Sequence, residues 1–269
     1  SPEFNVNVSL IPFWSLSVFY LWRGIKNNKL LDWLLLGLFA GLGFLSKYLF
    51  IYLGLAIDVL LIYMIYTKRL NFKCLVSFIP FIIILLPHII WLTENDYITI
   101  TYGLLRTSSE EASIFNHIKY PMIFLGKQIG LLLPFLLMVF VLVKKFKINI
   151  NLDDDKLLFL VSINVIPILF IFLTSFTMGA NIRTMWMMPF YISFGLLFIY
   201  ILKSQINFER MKAFTSIFLI LFLLSPILYS YVSISQTDKR TDFDGKKLAQ
   251  QAKVFYETEG KDLGKMEYI

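Results

Sequence analysis

Phe81-Ile82-Ile83-Ile84-Leu85-Leu86 lies inside an apolar run from Cys74 to Leu92 that carries no Asp, Glu, Lys or Arg. The six residues are uniformly apolar. A half-buried strand would alternate apolar with polar, and a membrane barrel strand would do the same with lipid and lumen. At 1.5 Å per residue a helix needs about 20 residues to cross ~30 Å of hydrocarbon, and this run has that length. Blocks of the same kind recur on both sides of it. We expect spans near 8–22, 31–46, 48–66, 74–92, 121–143, 157–176, 186–202 and 213–232. The composition agrees: 58% of residues are hydrophobic, 16% are charged, and there are 27 Phe and 14 Tyr. A soluble domain of 269 residues could not cover that much apolar side chain with so few charges. The fold class expected is therefore all-α, a polytopic membrane helical bundle of about eight spans.

The net charge of +7 does not point to nucleic acid, because the basic residues flank the spans. Counted over alternate loops they also give an orientation. One set of loops carries Arg23, Lys26 and Lys29, then Lys68, Arg69 and Lys73, then Lys144, Lys145, Lys147 and Lys156, then Lys203, Arg210 and Lys212. The opposite set carries Lys47, Arg106, Lys119 and Arg183. Thirteen against four places the first set in the cytoplasm. The expectation is a multi-pass protein of a bacterial inner membrane with its working face extracytoplasmic. Residues 1–232 form the membrane domain. Residues 233–269 begin an outer tail or domain, in which Leu248, Ala252 and Phe255 predict an amphipathic helix near 244–257.

Polar residues gather on the face that lacks the basic bias. The loop 93–120 holds Glu94, Asp96, Glu110 and Glu111 together with Tyr97, Tyr102 and Arg106. His88 and Trp91 precede it, Lys127 and Gln128 follow within the next span, and Asn181, Arg183 and Trp186 form a second outer loop. Lys47 ends a helix made of Gly37, Gly41 and Gly43, whose small residues predict close helix packing. Cations at membrane depth are costly and point to function. Lys47, Arg106 and Arg183 suit a phosphate at headgroup depth, Arg through paired hydrogen bonds and Lys as a point charge. Tyr48, His88, Trp91, Tyr97, Tyr102, Lys127 and Gln128 are the expected pocket residues beside them. The rival for each cation is a side chain that snorkels to the interface or pairs with a nearby acid. Asp58 and Asn164 lie mid-span. They suit hydrogen bonding between helices, or the pathway of a transporter or flippase component, which is the alternative function. His88 and His117 are isolated, the single Cys74 suits a small apolar position at a helix end, and no metal or cofactor is expected. Trp14, Trp22, Trp33, Trp91 and Trp186 read as an aromatic belt at the span ends.

Several of these segments resemble one family. Phe4-Asn5-Val6-Asn7 followed by Leu10-Ile11-Pro12-Phe13-Trp14, the glycine-rich helix from Gly37 to Ser46-Lys47-Tyr48, and Pro87-His88-Ile89-Ile90-Trp91 with Tyr97, Tyr102 and Arg106 occur in its order. So do Gly126-Lys127-Gln128 through Pro134, Asn181 to Pro189, and Asp244-Gly245-Lys246-Lys247-Leu248-Ala249. Together they are similar to bacterial glycosyltransferase family 39, which includes protein O-mannosyltransferases and lipid A aminoarabinose transferases. The resemblance implies a GT-C type fold and an inverting glycosyltransferase. Such an enzyme moves a sugar from a polyprenyl-phosphate donor to an envelope glycan, lipid or protein acceptor. It also implies that the catalytic carboxylate lies before residue 1. The chain then reads as an internal fragment, inactive alone, with Ser1-Pro2-Glu3-Phe4 either native or a cloning remnant.

Overall fold

The computed structural model describes residues 5–107, 113–143, 151, 153–235 and 244–258. Ser1–Phe4, Glu110, Glu111 and the basic residues Lys144, Lys145 and Lys147 fall outside them. The described residues form ten helices and no sheet. In order they are α1 (Val6–Asn27), α2 (Leu30–Ser46), α3 (Ile51–Tyr66), α4 (Phe78–Glu94), α5 (Ile98–Thr107), α6 (Asn116–Leu142), α7 (Asp155–Met178), α8 (Phe194–Leu202), α9 (Met211–Ser235) and α10 (Gly245–Thr258). Short 3-10 turns lead into α3, α4, α8 and α9. The chain divides into two compact units, Ser1–Met211 and Lys212–Ile269. The second unit contains α10, whose first turn is capped by Asp244 through the Lys247 amide (3.1 Å). The helix predicted near 244–257 is therefore present.

Six helical segments are long and apolar enough to cross a membrane: Val6–Asn27, Tyr48–Tyr66, Phe72–Glu94, Asn116–Leu142, Asp155–Met178 and Phe208–Ser235. Two of the eight expected spans differ from this pattern. The span at 186–202 is broken: Thr184–Tyr191 and Phe194–Leu202 meet at a bend of 52°. Pro189 lacks an N–H donor, and the buried Ser193 at the break donates to Asn164 on α7 (3.1 Å). A bend at membrane depth persists where such partners replace lost backbone bonds. The other is α2, apolar but only 17 residues long. It spans about 25 Å, short of the hydrocarbon thickness.

Within the first unit α1 packs on α2, α2 on α4, α3 on α7, α6 on α7, and α7 on α8. Glycine makes the α2 contacts close. A Cβ on Gly37 would stand 1.8 Å from the Ser77 carbonyl oxygen, one on Gly41 3.0 Å from Ile84 Cβ, and one on Gly43 2.6 Å from the Phe50 ring. The expected close packing is thus present in atomic detail. Cys74 is buried at the start of the α4 span, as expected.

The tryptophans correct the sequence reading. Trp14 and Trp33 are 1% and 0% exposed. Trp14 sits between Phe50 (5.9 Å between ring centroids) and Phe190 (4.7 Å), and Trp33 lies on Gly24. They fill gaps between helices, so only part of the set can form an interfacial belt. Asn164 donates to the Leu160 carbonyl (2.8 Å) and accepts from Ser193 (3.1 Å), so it joins α7 to the broken span, in line with hydrogen bonding between helices. Loop contacts sort into the two sets that the basic residues define. On one side Arg69 pairs with Asp153 and Asp155 (3.1 Å each), Arg210 reaches the Val143 carbonyl (3.0 Å), and Arg23 pairs with buried Asp32 (3.0 Å). On the other, His117 meets the Phe176 carbonyl (2.8 Å) and the Asn181 amide meets the Thr107 carbonyl (3.1 Å).

Candidate functional site

Lys47 occupies the single extended residue between α2 and the turn that opens the α3 span. Its N–H donates to Gly43 (3.1 Å) and its carbonyl accepts from Phe50 (3.0 Å), so the backbone is held on both sides. The side chain turns inward. Its ammonium donates to the Asn7 side-chain oxygen and stands 5.0 Å from the Trp186 ring centroid. Burial first, and then the charge of Arg106, push this connection-loop lysine down to about 8. Arg106 is therefore close enough to be felt. It lies on the exposed part of α5 and donates to the Tyr102 hydroxyl (3.0 Å). Neither cation pairs with a carboxylate among the described residues. Two like charges repel, and that repulsion favours the neutral form of the lysine.

Tyr48, Thr107 and Trp186, the first two of which adjoin Lys47 and Arg106 in the chain, line a cavity of about 530 Å³. Tyr48, Tyr52, His88, Thr99, Thr107, Thr174 and Trp186 supply its polar and aromatic wall, and Phe44, Leu85, Leu92, Leu104, Met178 and Ile182 part of the apolar wall. The Tyr48 hydroxyl bonds both to His88 Nε2 (2.7 Å) and to the Thr99 hydroxyl (2.6 Å). This one hydroxyl ties the starts of the α3 span and of α5 to α4. A second cavity of about 280 Å³ continues along α3 and α4 and shares Phe44, Ile51 and Leu85 with the first. Asp58 and Ser77 lie in its otherwise apolar wall.

The structure brings together only part of the residues singled out from sequence. Tyr48 and His88 meet in the cavity wall, Lys47 precedes Tyr48 and faces Trp186 of the same wall, and Arg106 is bonded to Tyr102 outside it. Trp91 stacks on His88 (5.9 Å, 13° between planes) and stands behind the cavity wall. Tyr97 is exposed at the α4–α5 turn, where Asp96 and Tyr97 both take left-handed backbone angles. Tyr102 serves as the partner of Arg106. Arg183 and Lys127 are exposed, and their side chains make no hydrogen bond or ion pair among the described residues. Gln128 is buried away from the cavity and accepts from Tyr191 (2.6 Å). The sequence reading missed Asn7 and Thr99. The signal available for Asn7 was an amide in the first turn of an otherwise apolar helix.

No curated protein and no solved structure matches the chain. Residues 1–91, which carry Asn7, Lys47, Tyr48, His88 and Trp91, match the family model described as dolichyl-phosphate-mannose-protein mannosyltransferase.

Proposed function

We propose that the chain belongs to a membrane glycosyltransferase that takes its sugar from a polyprenyl-phosphate donor, with Lys47 and Arg106 receiving the donor's phosphate. The observation that carries this reading is the half-buried Lys47 ammonium, which has no carboxylate partner among the described residues and faces Trp186, a residue that also lines a largely apolar cavity. The two connected cavities follow α4 from Leu92 to Phe78, about 21 Å of helix. That is more than half of a ~30 Å hydrocarbon layer and suits a long isoprenoid chain. The match over residues 1–91 supports the same chemistry.

In the reaction an acceptor hydroxyl attacks the anomeric carbon, its proton passes to a base, and the bond to the phosphate oxygen breaks. The departing polyprenyl phosphate gains negative charge. An ammonium and a guanidinium already in place stabilise that charge without reorganising. No described carboxylate lines the larger cavity. The positive-inside count supports a reaction on the extracytoplasmic face. The acceptor is an envelope glycan, lipid or protein.

Lys47→Ala or Arg106→Ala should lower transfer roughly ten- to thousand-fold, the scale of losing one donor to a developing anion. Lys119→Ala, exposed on the same side, should be nearly silent. The assay is turnover with a polyprenyl-phosphate sugar, alongside unfolding curves of each variant. Wild-type turnover in both Lys47→Ala and Arg106→Ala would remove the proposal.

A further inference from the structure

Asn7 has no role in any reading so far, yet its environment is specific. It is 9% exposed. Its own amide donates to Asn5, which is the residue that caps α1 (2.9 Å). Its side chain is thus not needed to start the helix. That side chain receives the Lys47 ammonium instead. An ammonium only donates, so the amide must turn its oxygen inward. Trp186 closes the other side, 5.0 Å from the ammonium to the ring centroid. Trp186 is itself fixed, since its amide donates to Arg183 (3.0 Å) and starts the turn that leads into the broken span.

We infer that Asn7, with Trp186, is a positioning residue that holds the Lys47 ammonium at one point. A lysine side chain has four rotatable carbons and places its charge poorly unless something fixes the end. One hydrogen bond to a neutral oxygen and one aromatic face fix it without cancelling its charge. The remaining donor is free for an anion. A carboxylate at position 7 would fix the ammonium equally well but would neutralise it. The inference deepens the phosphate-binding reading and, for its effect on transfer, rests on it.

The test measures Lys47 directly, by acetic anhydride labelling of the detergent-purified protein across pH, with mass spectrometry of the Lys47 peptide. Asn7→Ala removes an acceptor to a charged donor, so the midpoint of Lys47 reactivity should fall by about one pH unit. Asn7→Asp adds a neighbouring charge and should raise it by about one to three. A merely structural amide would move neither, or would move both the same way by loosening the fold. Either result overturns the inference. Should Asn7→Ala fold poorly, Asn7→Asp carries the test with the opposite sign. In the transfer assay Asn7→Ala should raise the donor KM more than it lowers kcat, and should add nothing in a Lys47→Ala background. If Lys47→Ala leaves transfer intact while the labelling midpoints move, the phosphate reading falls and the positioning of Lys47 stands.

Discussion

Lys47 shows how much a residue's surroundings add to its type. An ordinary lysine loses its proton near pH 10.5, but burial and the Arg106 guanidinium bring this one down to about 8. The donor is a phosphodiester, whose single charge does not change near neutrality. Any change in donor binding between pH 7 and 9.5 therefore reports on the protein. The free ammonium is protonated below about 8 and loses its proton above it. Donor KM should be flat below that value and rise about tenfold per pH unit above it, until the proton held by the bound complex is also lost. A KM that stays flat to pH 9.5 would show that Lys47 does not contact the phosphate. At this scale the sequence showed that Lys47 and Arg106 were out of place as cations on the less basic face. It did not show that the charge of one acts on the other, because they are 59 positions apart. Nor did it show Asn7, because one amide near a helix start reads first as a cap.

Helix lengths were legible because the bilayer sets them: a block of about 20 apolar residues has few other uses. What the blocks could not show is where a helix breaks inside apolar sequence. Thr184–Leu202 is continuous in hydropathy, and its bend depends on Ser193 meeting Asn164 on another helix. The glycine contacts of α2 were legible as a type of packing, whereas their tightness depends on which neighbour each glycine meets. That difference gives a graded prediction. Gly37→Ala drives a methyl to within 1.8 Å of the Ser77 carbonyl, a backbone atom that cannot swing aside. It should cost roughly 1–3 kcal/mol or more, the range for overpacking. Gly41→Ala meets only the Ile84 side chain at 3.0 Å and should cost less. Gly54→Ala on α3 meets nothing within 4 Å and should be neutral, or gain up to about 1 kcal/mol from helix propensity. Thermal unfolding in one detergent should rank the three in that order. Equal midpoints for Gly37→Ala and Gly54→Ala would mean that α2 does not pack on the start of α4 as described.

Across the whole molecule the separation of two membrane faces rests on two independent lines. Basic residues divide thirteen to four between alternate loops, and contacts between loops stay within each set. Arg69 pairs with the acidic start of α7 and Arg210 with the end of α6, while His117 and Asn181 join elements on the side of Lys47. A chain with one span too many or too few would mix the sets. The short α2 is the place where such an error would arise, since 17 residues fall below a full crossing. Lys47 at its end still meets Asn7 and Trp186, both from the less basic set of ends. This requires α2 to reach that face. Thiol labelling in intact cells turns the argument into a measurement. The native Cys74 is buried and gives a low background. A cysteine at the exposed Glu94, at the end of α4, should react with a membrane-impermeant maleimide from outside. One at the exposed Lys73, beside the Arg69 turn, should react only after the cells are opened. Outside labelling at Lys73 with protection at Glu94 would invert the molecule and put the cation site in the cytoplasm, where an extracytoplasmic acceptor could not reach it. Outside labelling at both would mean that the run from Cys74 to Leu92 does not cross the membrane at all.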